Sequence, residues 1–309
     1  MYLTKPMIQI FEEVAQGANT RELLAARLKK SLNWISEILN QLEEEGFVIK
    51  NRCYTSASSR IRIELSGTQY SMRMKELAIE YQAIKLEDIL ANVKLLYLAA
   101  LCEDWISMQE ASKLCKISIH TIRKINKGLM DRGIIIRKNR LYTINSKMWL
   151  LLRQFLVEYK NYGNYPGQVK WRFQDEAIFK VTKENNIQGS TSGFYQYKDY
   201  GVTVGVISAL CTLPKRELSK EEIFVHSLFE VDDPRTLHLA MAFYLKNKLN
   251  YSKVLPIAMK FGKYTLFINL MRLFDAKDKK IKLDQLPMFD RNDFIRILDL
   301  YEVKNVYKT

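Results

Sequence analysis

The chain is poor in the residues that usually announce chemistry. Three histidines (His120, His226, His238) and four cysteines (Cys53, Cys102, Cys115, Cys211) are spread over 309 residues. No C-x-x-C, zinc spacing, phosphate loop or Ser-His-Asp set appears, so neither a metal nor a cofactor is expected. No secretory leader is visible, and the scattered cysteines fit a reducing compartment, so free thiols in a cytoplasmic protein are expected. Long apolar runs are missing too. The charge-free run from Tyr200 to Pro214 has 15 residues and two glycines, short of the roughly 20 apolar residues a membrane helix needs, and no membrane partner is expected.

Catalytic carboxylates are also scarce. A nucleotidyltransferase would set Gly-Ser before a close D-x-D pair for magnesium. Here Gly189-Ser190 is followed by Asp199, but Gly201 stands where the second acid belongs, and Asp232-Asp233 reads as a helix cap. His226 and His238 lie in apolar helices and read as core or interface residues. An enzyme is the least expected class.

What is present is positive charge. Lys and Arg number 48 against 34 Asp and Glu, a net charge of +14, which suits a polyanionic partner. Residues 1–85 carry +2, 86–160 carry +6 and 161–309 carry +6, so the shortest segment is the most basic per residue.

The densest part is Ser118 to Arg140, with seven Lys/Arg between 123 and 140 against the single acid Asp131. Ser118 is a good helix cap, and Ile122, Ile125 and Leu129 form an apolar stripe. The opposite face holds His120, Lys124, Lys127 and Asp131, flanked by Thr121 and Arg123. Gly133 ends the helix and Ile134-Ile135-Ile136 starts a strand. Gly128 inside the helix costs about 1 kcal/mol against Ala, which implies the close approach of backbone or DNA.

In chain order, Pro6 starts a helix closed by Gly17, and Asn19 with Glu22 predicts a capping box for a second. Ser31 caps a third with Ile35, Ile38 and Leu42 buried, and Gly46 stops it. Phe47-Val48-Ile49 then leads into a hairpin around a Ser-rich tip, Ser56 to Ser59. The order returns after a slide of 87 or 88 positions, which sets Ser31 on Ser118, Ile35 on Ile122, Leu42 on Leu129 and Gly46 on Gly133. Ser107 with Glu110 caps the second copy's middle helix. Each copy ends in a further helix, Gln69 to Ile84 and Lys147 to Tyr162. A period near 90 residues means two tandem domains, and three helices followed by a hairpin make a winged helix-turn-helix.

Both copies resemble the winged helix-turn-helix domains of bacterial and archaeal transcription regulators. The resemblance rests on A-x-x-L near the middle helix (Ala25 to Leu28, Ala111 to Leu114), the capping Ser and the Gly ending, and covers about half the chain. It implies a third helix in the major groove with the wing on phosphates. The second copy then offers Ser118, His120, Thr121, Arg123, Lys124 and Lys127, with Arg137, Lys138 and Arg140 in its wing. The first offers Ser31 and Asn33 but also Glu37, Asn40 and Glu44, and its better signal is the wing, with Arg52, Arg60 and Arg62. Trp34 reads either as a contact to DNA backbone or a partner, or as packing against the next helix. Trp105 and Trp149 read as core.

Asn161 to Gly167 is a linker. Beyond it, Val169 to Phe173, Ala177 to Thr182 and Gly201 to Leu213 predict strands. Ser219 with Glu222, Asp233-Pro234, Ser252, Lys263 and Asp290 open helices. Thr191 to Phe194, Tyr200 to Val202, Leu218 to Ile223, His226, Asp233 to Arg235 and Tyr244 to Asn247 resemble the C-terminal part of archaeal winged-helix regulators. More remotely they are similar to the effector-proximal domain of abortive-infection antitoxins, which implies autorepression and an opposed toxin. The sequence thus predicts a mostly helical α+β protein: winged helix domains at 1–85 and 86–160, then an α+β domain at 161–309. The expected function is transcription regulation on double-stranded DNA, with a protein partner or self-association through 161–309. An antitoxin-like interaction factor and an assembly protein docking through winged helices are the alternatives.

Overall fold

Side-chain caps decide where most helices begin. The computed structural model describes residues 3–55, 58–163, 165–182, 189–205, 208–276 and 280–303, leaving aside the side chains of 52–55 and 58–60. Helices hold 55% of the chain and strands 15%, in small antiparallel sheets, so the fold is mixed α and β. It divides into two compact units. Unit 1 is Met1–Glu103 with Cys115–Tyr162, and unit 2 is Asp104–Leu114 with Gly163–Thr309.

In unit 1, Thr4 accepts from the Met7 amide at 3.4 Å and opens α1 (Lys5–Ala15), whose buried stripe is Met7, Ile8, Ile10, Phe11 and Val14. The next helix, α2 (Arg21–Leu28), is capped by Thr20, which accepts from the Leu23 amide at 3.2 Å. The expected cap, Asn19, lies one residue outside. Its carbonyl accepts from the Ile63 amide at 2.9 Å, so it is tied to a strand. Ser31 caps α3 (Leu32–Glu44) as expected, with Ile35, Ile38, Leu39 and Leu42 buried. Gly46 follows at φ +73°, where a Cβ would overlap the Tyr70 hydroxyl. The hairpin β1 (Val48–Thr55) and β2 (Ser58–Leu65) pairs Val48 with Leu65 and Thr55 with Ser58. Ser58 and Ser59 belong to the strand, and Ser56 of the expected tip lies outside the described residues. Thr68 then caps α4 (Gln69–Glu80).

The second copy starts with the short α5 (Leu86–Leu90) and α6 (Val93–Leu101), nearly all of whose apolar residues are buried. Next come β3 (Ile106–Ser107) and α7 (Met108–Cys115), which belong to unit 2 except for Cys115. Ser107 accepts from the Glu110 amide at 3.1 Å, the expected cap of α7. Unit 1 resumes with α8 (Ile119–Asp131), the hairpin β4 (Ile135–Lys138) and β5 (Leu141–Ile144), and α9 (Leu150–Asn161).

The two terminal helices, α4 and α9, pack along each other. Their seam is aromatic: Tyr70 lies 5.5 Å from Tyr159 and 4.7 Å from Tyr162, Phe47 lies 5.3 Å from Tyr159, and Phe155 stacks on Tyr159 at 5.7 Å. Further along, Tyr81 stacks on Trp149 at 4.7 Å and donates to the Met148 carbonyl at 2.8 Å. Tyr159 donates to the Glu45 carboxylate at 3.1 Å. Both copies therefore share one core, at aromatic pairs that add about 0.5–1.5 kcal/mol each beyond their buried area. Trp149 is buried as expected, whereas Trp105, in unit 2, is only half-buried.

Unit 2 holds a four-stranded antiparallel sheet in the order β6-β7-β9-β8, from β6 (Gln168–Phe173), β7 (Glu176–Val181), β8 (Ser190–Ser192) and β9 (Ala209–Leu213). The inner strands β7 and β9 are buried almost throughout, while β6 at the edge buries only Trp171 and Phe173, as sequence runs of those kinds require. Residues Gly193–Tyr200 form a 3-10 helix, and of the strand expected within Gly201 to Leu213 only Ala209–Leu213 is strand among the described residues. Five helices follow: α10 (Lys220–Ser227), α11 (Pro234–Lys246), α12 (Tyr251–Lys260), α13 (Tyr264–Phe274) and α14 (Arg291–Leu300), with a small pair β10 (Lys280–Ile281) and β11 (Phe289–Asp290) before α14. Ser219 with Glu222 and Asp233 with Thr236 both form full capping boxes. The cap of α12 is Asn250, accepting from the Ser252 amide at 2.8 Å, so Ser252 lies inside the helix. Asp104 accepts from the Thr265 amide and hydroxyl, both at 2.6 Å, which ties 104–114 to the start of α13.

Candidate nucleic-acid interface

The helix α8 is fixed from below and at its start. Ser118 accepts from the Thr121 amide at 3.1 Å and sits 2.9 Å from the Thr121 hydroxyl, leaving Thr121 half-buried. Ile122 and Leu129 are buried, but the third member of the stripe is Asn126, 3% exposed, and Ile125 is only half-buried. The spacing 122, 126, 129 is as helical as 122, 125, 129, and the polar residue took the inner place. Among the described residues neither Asn126 side-chain atom makes a hydrogen bond of good geometry, nor does the hydroxyl of Tyr97 on α6 beside it. Burial pushes the Tyr97 phenol up, with Asn126 opposing the shift.

Outward, α8 presents His120, Arg123, Lys124 and Lys127, all exposed. The hairpin adds Arg137, Lys138 and Arg140, also exposed. Its connection is two residues long, Asn139 at φ +48° and Arg140 at φ +66°, the left-handed pair of a tight turn whose twist matches its strands. Asn tolerates that geometry; Arg is held there against its preference, at the tip. The Arg137 guanidinium lies 5.9 Å from the Tyr142 ring centre. Among the described residues, Arg123, Lys124, Lys127, Arg137, Lys138 and Arg140 have no carboxylate within 4.0 Å.

The matching surface of α3 is compensated. Ser31, Asn33, Glu37, Asn40 and Glu44 are exposed. Lys50, however, bonds Asn40 at 2.5 Å and pairs with Glu43 at 2.7 Å, so Asn40 is already engaged. Arg62 is exposed and pairs with Glu64 at 3.1 Å. Arg52 and Arg60 lie in the strands opposite Ile61 and Cys53, and their side chains fall outside the described residues. Trp34 is half-buried with the Lys30 ammonium 5.5 Å from its ring centre, so it is neither a free contact nor core.

Two features carried no sequence signal. Beside α8 is a groove of about 390 Å³ lined by Asp88, Lys94, Lys124, Ile125, Gly128, Leu129 and Arg132. A Cβ on Gly128 would meet nothing within 4 Å, so no protein backbone approaches there. In unit 2, Ser192 and His226, 34 positions apart, are both fully buried, with Oγ 2.7 Å from Nδ1. Burial drives His226 down to about 3, so the ring is neutral, and its Nε2 has no partner among the described residues. Ser190 is used structurally, accepting from the Arg216 amide at 2.8 Å and donating to its carbonyl at 2.5 Å. Cys102, Cys115 and Cys211 are buried, with the Cys102 thiol donating to the Ala99 carbonyl at 3.2 Å and the Cys115 thiol to the Leu96 carbonyl at 3.6 Å, and the side chain of Cys53 falls outside the described residues. Among the described residues no group of three or more His, Cys, Asp or Glu is placed to hold a metal, and no helix is long and apolar enough to cross a membrane.

No protein-family model, curated protein or solved structure compared with the chain matches it.

Proposed function

We propose that residues 1–160 form two winged helix-turn-helix domains and that the protein is a transcription regulator gripping duplex DNA mainly through α8 and the β4–β5 hairpin. The observation that supports this best is the uncompensated charge of that surface. Six cations with no carboxylate of the described residues within 4.0 Å crowd one helix face and one hairpin, and such crowding is relieved by a polyanion. The matching face of α3 has its Asn40 and Glu43 taken up by Lys50. The first domain therefore contributes a lesser grip, through its wing, or a protein interface.

In this reading the exposed first turns of α8 meet base edges, where Lys124 and Lys127 suit guanine acceptors. Arg137, Lys138 and Arg140 meet phosphates across the adjacent backbone. The test is a mobility-shift titration of Lys124→Glu with Lys127→Glu on the duplex upstream of the protein's own reading frame. Loss of the shift is expected, and an unaltered shift rejects the reading. Wild-type affinity should fall roughly a thousandfold between about 50 and 200 mM salt if six or more phosphates are neutralised. A flat salt profile favours protein docking instead.

A further inference from the structure

The groove beside α8 has the size and charge of a small-molecule site. At about 390 Å³ it falls in the range of ligand pockets, which run from roughly 300 to 1,000 Å³. Lys94, Lys124 and Arg132 supply three positive charges. One acid answers them: Asp88 pairs with Arg132 at 3.6 Å, and its carbonyl accepts from the Lys94 ammonium at 2.6 Å. The second contact fixes where the Lys94 charge sits without neutralising it. The groove is thus left with a surplus of about two charges, the amount a phosphate monoester carries near neutral pH.

Its remaining wall is apolar. Ile125 and Leu129 stand on either side of Gly128, whose missing side chain leaves an open, flat strip of helix. A glycine in the middle of an exposed helix weakens it, and here no close-packed protein neighbour explains it. A planar ring laid on that strip would cover the half-buried Ile125, with its charged end among the three cations.

We propose that this groove binds a small phosphate ester with a planar body, of the mononucleotide class, and that the bound ligand competes with DNA because Lys124 serves both. Only the competition rests on the DNA reading. The ligand would act as an effector, drawing one cation of the α8 face away from the duplex.

The test uses the full chain and three probes in isothermal titration calorimetry: adenosine monophosphate, inorganic phosphate and adenosine. Adenosine monophosphate should bind saturably and about tenfold or more tighter than either fragment. Gly128→Leu fills the strip without changing charge and favours the helix, and Lys94→Gln removes one cation away from α8. Each should weaken adenosine monophosphate about tenfold, with circular dichroism unchanged. Binding no tighter than inorganic phosphate, or undiminished in Gly128→Leu, overturns the proposal. Displacement of labelled duplex by adenosine monophosphate is expected in wild type and not in Gly128→Leu. If the duplex never binds while the nucleotide does, the DNA reading fails and the groove assignment stands; if the duplex binds and the nucleotide does not, the groove assignment fails alone.

Discussion

Tyr97 and Asn126 face each other in the core behind α8, and among the described residues neither the phenol oxygen nor either amide atom makes a hydrogen bond of good geometry. A buried polar atom without a partner costs on the order of 1–3 kcal/mol. Tyr97→Phe is therefore expected to leave stability unchanged or raise it by up to about 1 kcal/mol. Tyr197→Phe is the control, since the Tyr197 hydroxyl bonds Ser227 at 2.5 Å and Ser227 donates in turn to the Phe224 carbonyl at 2.7 Å. That variant should lose about 0.5–1.5 kcal/mol, the net worth of the hydrogen bond removed, since Ser227 keeps its bond to the Phe224 carbonyl. Urea unfolding of both gives the comparison, and equal losses would show that Tyr97 is bonded in solution.

Two glycines should respond in opposite directions to the same change. Gly128 lies inside α8 with open space where a Cβ would point, so Gly128→Ala should stabilise by roughly 0.5–1 kcal/mol. Gly46 has φ +73° and a Cβ there would overlap the Tyr70 hydroxyl, which donates to the Glu45 carbonyl at 2.6 Å. Gly46→Ala should cost more than about 1 kcal/mol, from backbone strain together with a displaced hydrogen bond. Thermal melts of the two variants measure this, and shifts of the same sign would contradict it.

In the proposed DNA reading, the hairpin's share of the grip is separable from that of α8. Replacing Arg137, Lys138 and Arg140 by Gln removes three exposed cations. If each meets a phosphate, the slope of log affinity against log salt should shrink by about 2.7, at roughly 0.9 per contact. Fluorescence anisotropy across a salt series reads the slope, and an unchanged slope would place the hairpin off the duplex.

Stability should also fall on mild acidification. His226 is held from its ordinary 6.5 down to about 3 by burial, and His238 is lowered by the same cause. Above about pH 6.5 both states of His226 are neutral and it contributes no pH dependence. Below that the unfolded chain takes up a proton that the folded one refuses, so stability drops with falling pH until about pH 3. The slope approaches about 1.4 kcal/mol per pH unit for one such group. Urea midpoints at about pH 7.5 and 5.5 should differ in wild type and differ less in His226→Gln; equal differences would count against a neutral buried ring.

The legible parts of this chain were local ones. Ser31, Ser118, Ser107, Ser219 with Glu222 and Asp233 with Pro234 each cap the helix they precede, because a cap is decided within about four residues. The two misplaced caps are each a choice between nearby cap-forming residues: Asn19 against Thr20, and Ser252 against Asn250. Ile125 and Asn126 both fit the helical period, and apolar character alone favours Ile125 for the inner place that Asn126 takes. The basic face of α8 was readable as a row, whereas its groove needs Asp88 and Lys94 from α5 and the start of α6, brought there only by tertiary packing. Ser192 with His226, and Tyr70 with Tyr159, were invisible for the same reason, since no period in the chain states which distant faces will meet.

The aromatic seam between α4 and α9 bears on how the repeat can be divided. Cut after residue 85, the first copy would present Phe47 and Tyr70 to water without Phe155, Tyr159 and Tyr162 against them. The second copy, cut the same way, would lose Tyr81 from the face of Trp149. The sequence repeats with a period near 90 residues, yet the seam joins the two periods: the smallest piece that keeps it closed contains both, and a single copy expressed alone should be prone to pair with another through the same rings.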